Sequence, residues 1–416
     1  MRQIIDFHIH SKYSRATSKS LDLREIAKWS QIKGVDIVSC GDFTHPRWLA
    51  EIKNNLVEDG SGFLKLKDNS QTKFILGAEV ACIYRHRDAT RRLHHVLLAP
   101  SIVAVEKFNK LITDRGGKLA SDGRPILGMS SKELLQILLE ADERCALIPA
   151  HVWTPWFAIF GSKSGYDSVN DCFEDLTPHI FALETGLSSD PAMNWTWSHL
   201  DDYVLVSNSD AHSGPKIGRE ANVFDLHDDT YDELLQAMKE KDPKKFLFTI
   251  EFFPEEGKYH YDGHRLCSVS FEPKETKRLK GICPICHKPL TVGVLNRVDN
   301  LRDRQWGETH PRAIPFKKIV PLPEIIADFL TVAESSKKVA ELYDESIRKG
   351  GNEFAILLDR DEAALAKIME PAIAHAIIKI RSGVIDVQPG YDGNFGKVSV
   401  FSAAERKNTL LQNKLF

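Results

Sequence analysis

From Met1 to about Phe253 the chain alternates short apolar strands with helical stretches, and ligand-type side chains recur at the strand ends. Strands separated by helices run parallel in a sheet or barrel, so this alternation predicts a largely parallel α/β fold. Strands are expected at Ile4 to Ile9, Ile37 to Cys40, Phe74 to Gly77, His95 to Ala99, Ala146 to Pro149, Ile180 to Leu183 and Tyr203 to Ser207. Helices are expected from about Leu23 to Lys33, from Val105 to Thr113, and from a Ser130/Glu133 capping box to Ala141.

The first strand reads Asp6-Phe7-His8-Ile9-His10. Alternation puts Asp6, His8 and His10 on one side, where two imidazoles and a carboxylate make a metal-binding corner. Further candidates follow later strands: Asp42, His45, Glu79, His94 or His95, His151, Glu184, Asp210 and His212. In a βα barrel the C-terminal strand ends converge on one face, which gathers residues remote in sequence. A histidine-rich set with carboxylates suits two or three divalent ions, Zn, Mn, Mg or Fe. Adjacent strand residues face opposite ways, so one of His94 and His95 is expected to bind. We take His95, which leads into Val96-Leu97-Leu98-Ala99. Asp6 is expected behind the ligands, orienting an imidazole. Asp210 and His212 are the catalytic candidates, with Asp210 placed to orient or deprotonate a water.

Composition bounds the rest. A chain of 416 residues with 42% hydrophobic residues is long enough for two or three domains with real cores. Its formal net charge of −3 carries no global sign of nucleic-acid binding, and bound cations would offset an acidic site. No apolar run approaches the roughly 20 residues of a membrane helix. No membrane partner is expected, and the expected compartment is the cytoplasm. Of the 7 cysteines, Cys40, Cys82, Cys145 and Cys172 read as small buried side chains.

The other three behave differently. His264-x-x-Cys267 is followed by Cys283-Pro284-Ile285-Cys286, the spacing of a closed structural zinc site, with His260 and His287 as alternative fourth ligands. Between Lys258 and Arg304 there are ten Lys or Arg against five Asp or Glu, a basic excess consistent with nucleic-acid contact. Pro311, Pro315, Pro321 and Pro323 read as a linker, and beyond them the chain is mainly helical. The resulting division is 1–253, 254–310 and 311–416.

Asp6-Phe7-His8-Ile9-His10, Gly77-Ala78-Glu79, Pro149-Ala150-His151 and Asp210-Ala211-His212 resemble the metal motifs of the PHP family, named for polymerases and histidinol phosphatases. The resemblance covers about the first 250 residues. It implies a distorted (β/α)7 barrel, a trinuclear metal site and phosphoester hydrolysis. Phe43, in Gly41-Asp42-Phe43-Thr44-His45, stands where that family has its second-motif histidine, which leaves Asp42 and His45 as alternatives.

The order of parts is more selective. A PHP-type domain, a small zinc module and a helical tail ending in Pro389-Gly390-Tyr391-Asp392-Gly393-Asn394-Phe395-Gly396 resemble the endonuclease Q family nearly end to end, Gly41 to Pro46 included. That resemblance implies cutting of DNA on the 5′ side of hypoxanthine, uracil or abasic sites, with damaged DNA as partner and a sliding clamp as an open one. A small-molecule phosphatase of the histidinol-phosphatase kind is the alternative. Trp153, Trp156, Phe157 and Phe160 either line or wedge a flipped-base site or pack a long loop. The glycines of the 389–396 loop would allow close approach to a phosphate backbone, or serve a plain hairpin turn.

Overall fold

A computed structural model describes residues 1–68 and 71–401. Its centre is an 11-stranded mixed sheet. Along its main path lie Phe316–Lys318, Phe246–Glu251, Ala221–Asp225, Arg2–Asp6, Ile37–Ser39, Lys73–His86, Leu64–Leu66 and Leu56–Glu58. Ala89–Ala99 branches from Lys73–His86 and pairs in turn with Ala146–Pro149. Ala182–Glu184 and Val204–Val206 form a separate parallel pair.

The fold is α/β as expected, but the expectation of a largely parallel sheet is corrected. Arg2–Asp6 pairs parallel with Ile37–Ser39 and antiparallel with Ala221–Asp225. Two segments expected as separate short strands, Phe74 to Gly77 and His95 to Ala99, belong to one long antiparallel hairpin, Lys73–His86 with Ala89–Ala99. Ladder hydrogen bonds within this hairpin replace the helical crossover that parallel strands require.

Apolar side chains from the successive strands meet in one buried cluster: Ile5, Phe7, Ile37, Ile75, Val96, Leu98, Ile148, Ala182, Val206 and Phe224. A second, larger cluster lies between the strands and the surrounding helices. The Leu23–Lys33 helix shows how locally these elements are specified. Asp22 caps its N-terminus by accepting from the Arg24 and Glu25 N–H groups, and Gly34 ends it at φ 87°.

The C-terminal helices Leu322–Leu330, Lys337–Gly350 and Pro371–Arg381 join the larger cluster through Ile325, Ile326, Val339, Tyr343 and Ile377. Lys216, paired with Glu324 and Glu334, is among the contacts that tie them to the first part of the chain. Lys33 and Glu353 form a buried ion pair at 2.5 Å. Phe316–Lys318, inside the expected proline linker, pairs parallel with Phe246–Glu251. Cys40, Cys82, Cys145 and Cys172 are all buried and free. Among the described residues no helix is long and apolar enough to cross a membrane.

Candidate metal centre

Strand register assembles the site. Beyond the Arg2–Asp6 strand the chain stays extended, and Ile9 bridges to Ala211, with the His10 N–H donating to the Ala211 carbonyl at 2.9 Å. His8 and His10 thereby come beside Asp210. In the long hairpin Ala81 pairs with His94 and Val80 with His95. Paired residues share a face, and Glu79 shares Ala81's, so His94 faces Glu79. The Ala150 N–H donates to the His94 carbonyl, which brings His151 alongside.

Glu79 is the centre of the arrangement. Its Oε2 lies 3.4 Å from His8 Nε2 and 3.1 Å from His10 Nε2, and Asp210 Oδ1 lies 3.1 Å from that same His10 nitrogen. Its Oε1 lies 2.6 Å from His94 Nδ1 and 3.3 Å from His151 Nε2. Two donor groups result, His8, His10, Glu79 and Asp210 on one side and Glu79, His94 and His151 on the other. One carboxylate thus faces both, and it would serve both if each group held a cation.

The donor chemistry fits cations. His8 Nε2 is buried and makes no hydrogen bond, while its Nδ1 is held by Glu184 Oε1 at 2.9 Å. A buried ring nitrogen directed into carboxylates without a partner is costly unless something binds it. Burial pushes His94 down to about 4, against the pull of the Glu79 carboxylate. Burial opposes the charge on Glu79, but His94, Arg124 and His8 hold it well below the usual carboxylate range. Three site residues, Asp42, His151 and Asp210, have left-handed backbones at φ 48°, 31° and 47°. Such conformations are strained for non-glycine residues and concentrate at functional sites.

Several expected ligands stand elsewhere. His95, the expected ligand of the pair, turns away from Glu79, and its Nε2 meets Ser131 Oγ at 2.7 Å. Glu184 sits behind His8 and also accepts from the His151 N–H at 2.7 Å, outside both donor groups. Asp42 is likewise behind a ligand, with Oδ1 3.2 Å from His10 Nδ1 and Oδ2 accepting from Ser11 and Ser14. His45 lies over Tyr13 with ring centroids 4.4 Å apart. His212 packs on the His10 ring at 4.4 Å, and its Nδ1 is 2.9 Å from the Asp210 carbonyl. Asp6 orients backbone rather than an imidazole: it accepts from the N–H groups of His8, Ser209 and Gly218.

Arg124 was missed. Its Nη1 lies 2.9 Å from Glu79 Oε2 and its side chain is 29% exposed, so part of the guanidinium faces outward beside the donor groups. It belongs to a loop without a sequence motif. Of the aromatic residues after His151, Trp153 and Phe160 are buried in the core. Phe157 packs on the His94 ring at 4.6 Å, and Trp156 remains exposed against Tyr259 at 5.2 Å.

A cleft of about 830 Å³ opens beside the centre, lined by Thr154, Arg219, Lys258, Tyr259, Glu324 and Phe395 among others. Thr154 Oγ1 is 3.1 Å from His151 Nδ1, and Arg219 donates to the Ser209 carbonyl, so one wall of the cleft supports the donor groups.

The second cluster brings together His264, Cys267, Cys283 and Cys286 as expected from their spacing, with Cys286 Sγ 3.4 Å from His264 Nδ1. A short hairpin, Asp262–His264 with Val269–Phe271, carries the first pair. The local apolar core has only Val269, Cys283 and Leu290 as buried members. His260 and His287 stand outside the group.

A family model for the MJ0043 C-terminal domain matches residues 321–384. The crystal structure of the lesion-specific endonuclease PfuEndoQ from Pyrococcus furiosus superposes with a TM-score of 0.85 at 31% identity, covering 96% of this chain and 95% of that one. The chain belongs to the endonuclease Q family. A structure of endonuclease Q with a 27-mer duplex bearing an abasic lesion at the active site gives a TM-score of 0.86 at 30% identity, covering 97% and 98%. Over 257 residues the chain is also 33% identical to the uncharacterized protein MJ0043 of Methanocaldococcus jannaschii. That match takes in 59% of this chain but only 31% of the longer relative.

Proposed function

We propose that this chain is a metal-dependent DNA repair endonuclease that hydrolyses the phosphodiester on the 5′ side of hypoxanthine, uracil or an abasic site. The observation that carries the reading is Glu79, whose two oxygens face separate imidazole groups beside a cleft far larger than a small phosphomonoester needs. The endonuclease Q relatives, one bound to a duplex with an abasic lesion, support DNA as the substrate, and DNA as substrate argues for the cytoplasm. The strand-lined inner cluster supports a distorted (β/α)7 PHP barrel over 1–253, followed by a zinc-binding module over 254–310 and a mainly helical domain over 311–416.

In this reading His8, His10, Glu79 and Asp210 hold one divalent cation, and Glu79, His94 and His151 a second. Zn, Mn, Mg and Fe all suit such donors. Bound there, the cations would supply Lewis acidity toward water and phosphate at neutral pH. Asp210, 29% exposed where His8, His10 and Glu79 are closed off, is placed to take the proton of the attacking water, with His212 beside it. Arg124 offers its outward guanidinium edge to a phosphate oxygen. His264, Cys267, Cys283 and Cys286 hold a structural zinc, a closed set with no open position for chemistry.

Labelled duplexes containing inosine, uracil or an abasic site, incubated with Mg²⁺ or Mn²⁺, test the reading. We expect a cut on the 5′ side of the lesion, with Asp210→Asn binding DNA and leaving it intact. Phosphate release from small phosphomonoesters without DNA cutting would overturn it in favour of a phosphatase.

A further inference from the structure

Phe395 is 74% exposed, yet the loop that carries it is held by several hydrogen bonds. The Gly390 N–H donates to the Glu255 carbonyl at 2.8 Å, the Gly393 N–H to Lys258 at 2.9 Å and the Gly396 N–H to Glu256 at 3.0 Å. Asp392 accepts from the Arg265 N–H at 2.7 Å and from Thr291 Oγ1 at 2.6 Å. A Cβ on Gly396 would collide with the Glu255 carbonyl, so the loop lies directly on the backbone of the preceding module. The side chain therefore stands out from a rigid base instead of covering a core.

Its surroundings specify the partner's chemistry. Lys258 Nζ lies 4.4 Å from the Phe395 ring centroid. Lys397 lines the same cleft, and Arg265 flanks the loop at Gly393. An aromatic face among cations suits a nucleobase within its phosphate backbone. The same cleft is also lined by Thr154 and Arg219, which brace the donor groups.

We propose that Phe395 is the extrusion wedge: its ring enters the helical stack at the lesion and replaces the nucleotide that leaves for the cleft. The proposal rests on the endonuclease reading above. Taking a nucleotide out of a duplex costs a few kcal/mol of pairing and stacking, and an inserted aromatic ring restores one stacking contact. Phe395 acts on the shape of the substrate and is a positioning residue. The loop has to be rigid for this, because a mobile ring would lose entropy on insertion.

Single-turnover cleavage at saturating protein, with uracil either fully paired in a duplex or placed in an unpaired loop of the same sequence, tests the proposal. Phe395→Ala should cut the paired lesion roughly tenfold to a hundredfold more slowly than wild type, the range one base–aromatic stack represents. It should cut the looped lesion at the wild-type rate, and Phe395→Tyr should restore the paired rate. Because the side chain is exposed, these variants keep the folded core. Equal rates on both substrates, or equal losses on both, would overturn the wedge while leaving the endonuclease in place. Wild-type protein that cuts neither substrate would overturn the endonuclease reading and the wedge with it.

Discussion

Glu184 holds His8 by the nitrogen that points away from the donor group: Oε1 lies 2.9 Å from Nδ1, and Nε2 is left facing Glu79 and Asp210. Asp42 does the same for His10, with Oδ1 3.2 Å from Nδ1. A carboxylate on one ring nitrogen fixes the tautomer and raises the basicity of the other. Glu184→Ala should therefore weaken cation binding about 10- to 100-fold, although Glu184 is in neither donor group. Glu184→Gln keeps an oxygen acceptor and should lose less. Calorimetric titration of metal-free protein with Mn²⁺ measures both, and unchanged affinity in the alanine variant would reduce Glu184 to a packing residue.

His94 and His95 give a sharper contrast, since neighbours in sequence have opposite fates. His94→Ala removes a donor that only the second group uses and should lower the metal content of the protein by about one equivalent. His95→Gln should leave the content unchanged. Its loss of the Ser131 contact should cost about 1 kcal/mol of stability. Elemental analysis of the two purified variants decides, and a reversed pattern would return the ligand role to His95.

The same pair marks how much of the site was legible in the sequence. The Leu23–Lys33 helix could be read to the residue because its Asp22 cap, apolar spacing and Gly34 stop are all local. His8, His10, Glu79, His151 and Asp210, which the structure brings together, stand out in the sequence because ligand-type residues at strand ends are a local pattern too. Which of His94 and His95 faces Glu79 depends on hairpin register, and the hairpin turns at Arg87 and Asp88, both at positive φ. Such turns ordinarily carry glycine or asparagine, so neither the hairpin nor its register was announced. Glu184 and Asp42 stand outside both donor groups, and in sequence a carboxylate within such a group and one behind a histidine have the same local signature. Arg124 reaches Glu79 from a loop and depends entirely on tertiary contact.

The zinc module should depend on its metal more than any other part of the chain. Three buried residues, one of them Cys283 itself, make too small a core to stand alone. Cys283→Ser or a strong chelator should release one equivalent of zinc and expose the stretch between Arg265 and Lys288 to trypsin. The larger clusters, which share no residue with this core, should keep their protection. Tryptic fragments before and after chelation, read by mass spectrometry, check this. Cuts spread evenly along the chain would mean that the module is not a separate metal-held unit.

Burial pushes Glu251 up to about 8, against the hydroxyl bonds of Thr249, Ser207 and Thr185 and with help from the nearby Asp190 carboxylate. The folded protein therefore keeps a proton that the unfolded chain releases near 4.5. The stability this proton contributes is fully present below that lower value. It is lost as pH rises toward 8, at no more than about 1.4 kcal/mol per pH unit, and the curve flattens above. Glu220, also raised well above its ordinary value by burial and by Glu251, adds to the same slope. Glu251→Gln is neutral at every pH and close in shape, so it should remove its share of the slope and gain on wild type as pH rises. Urea midpoints of both proteins at pH 6, 7, 8 and 9 test this, and parallel curves would show that Glu251 ionises in the folded state as it does in the unfolded chain.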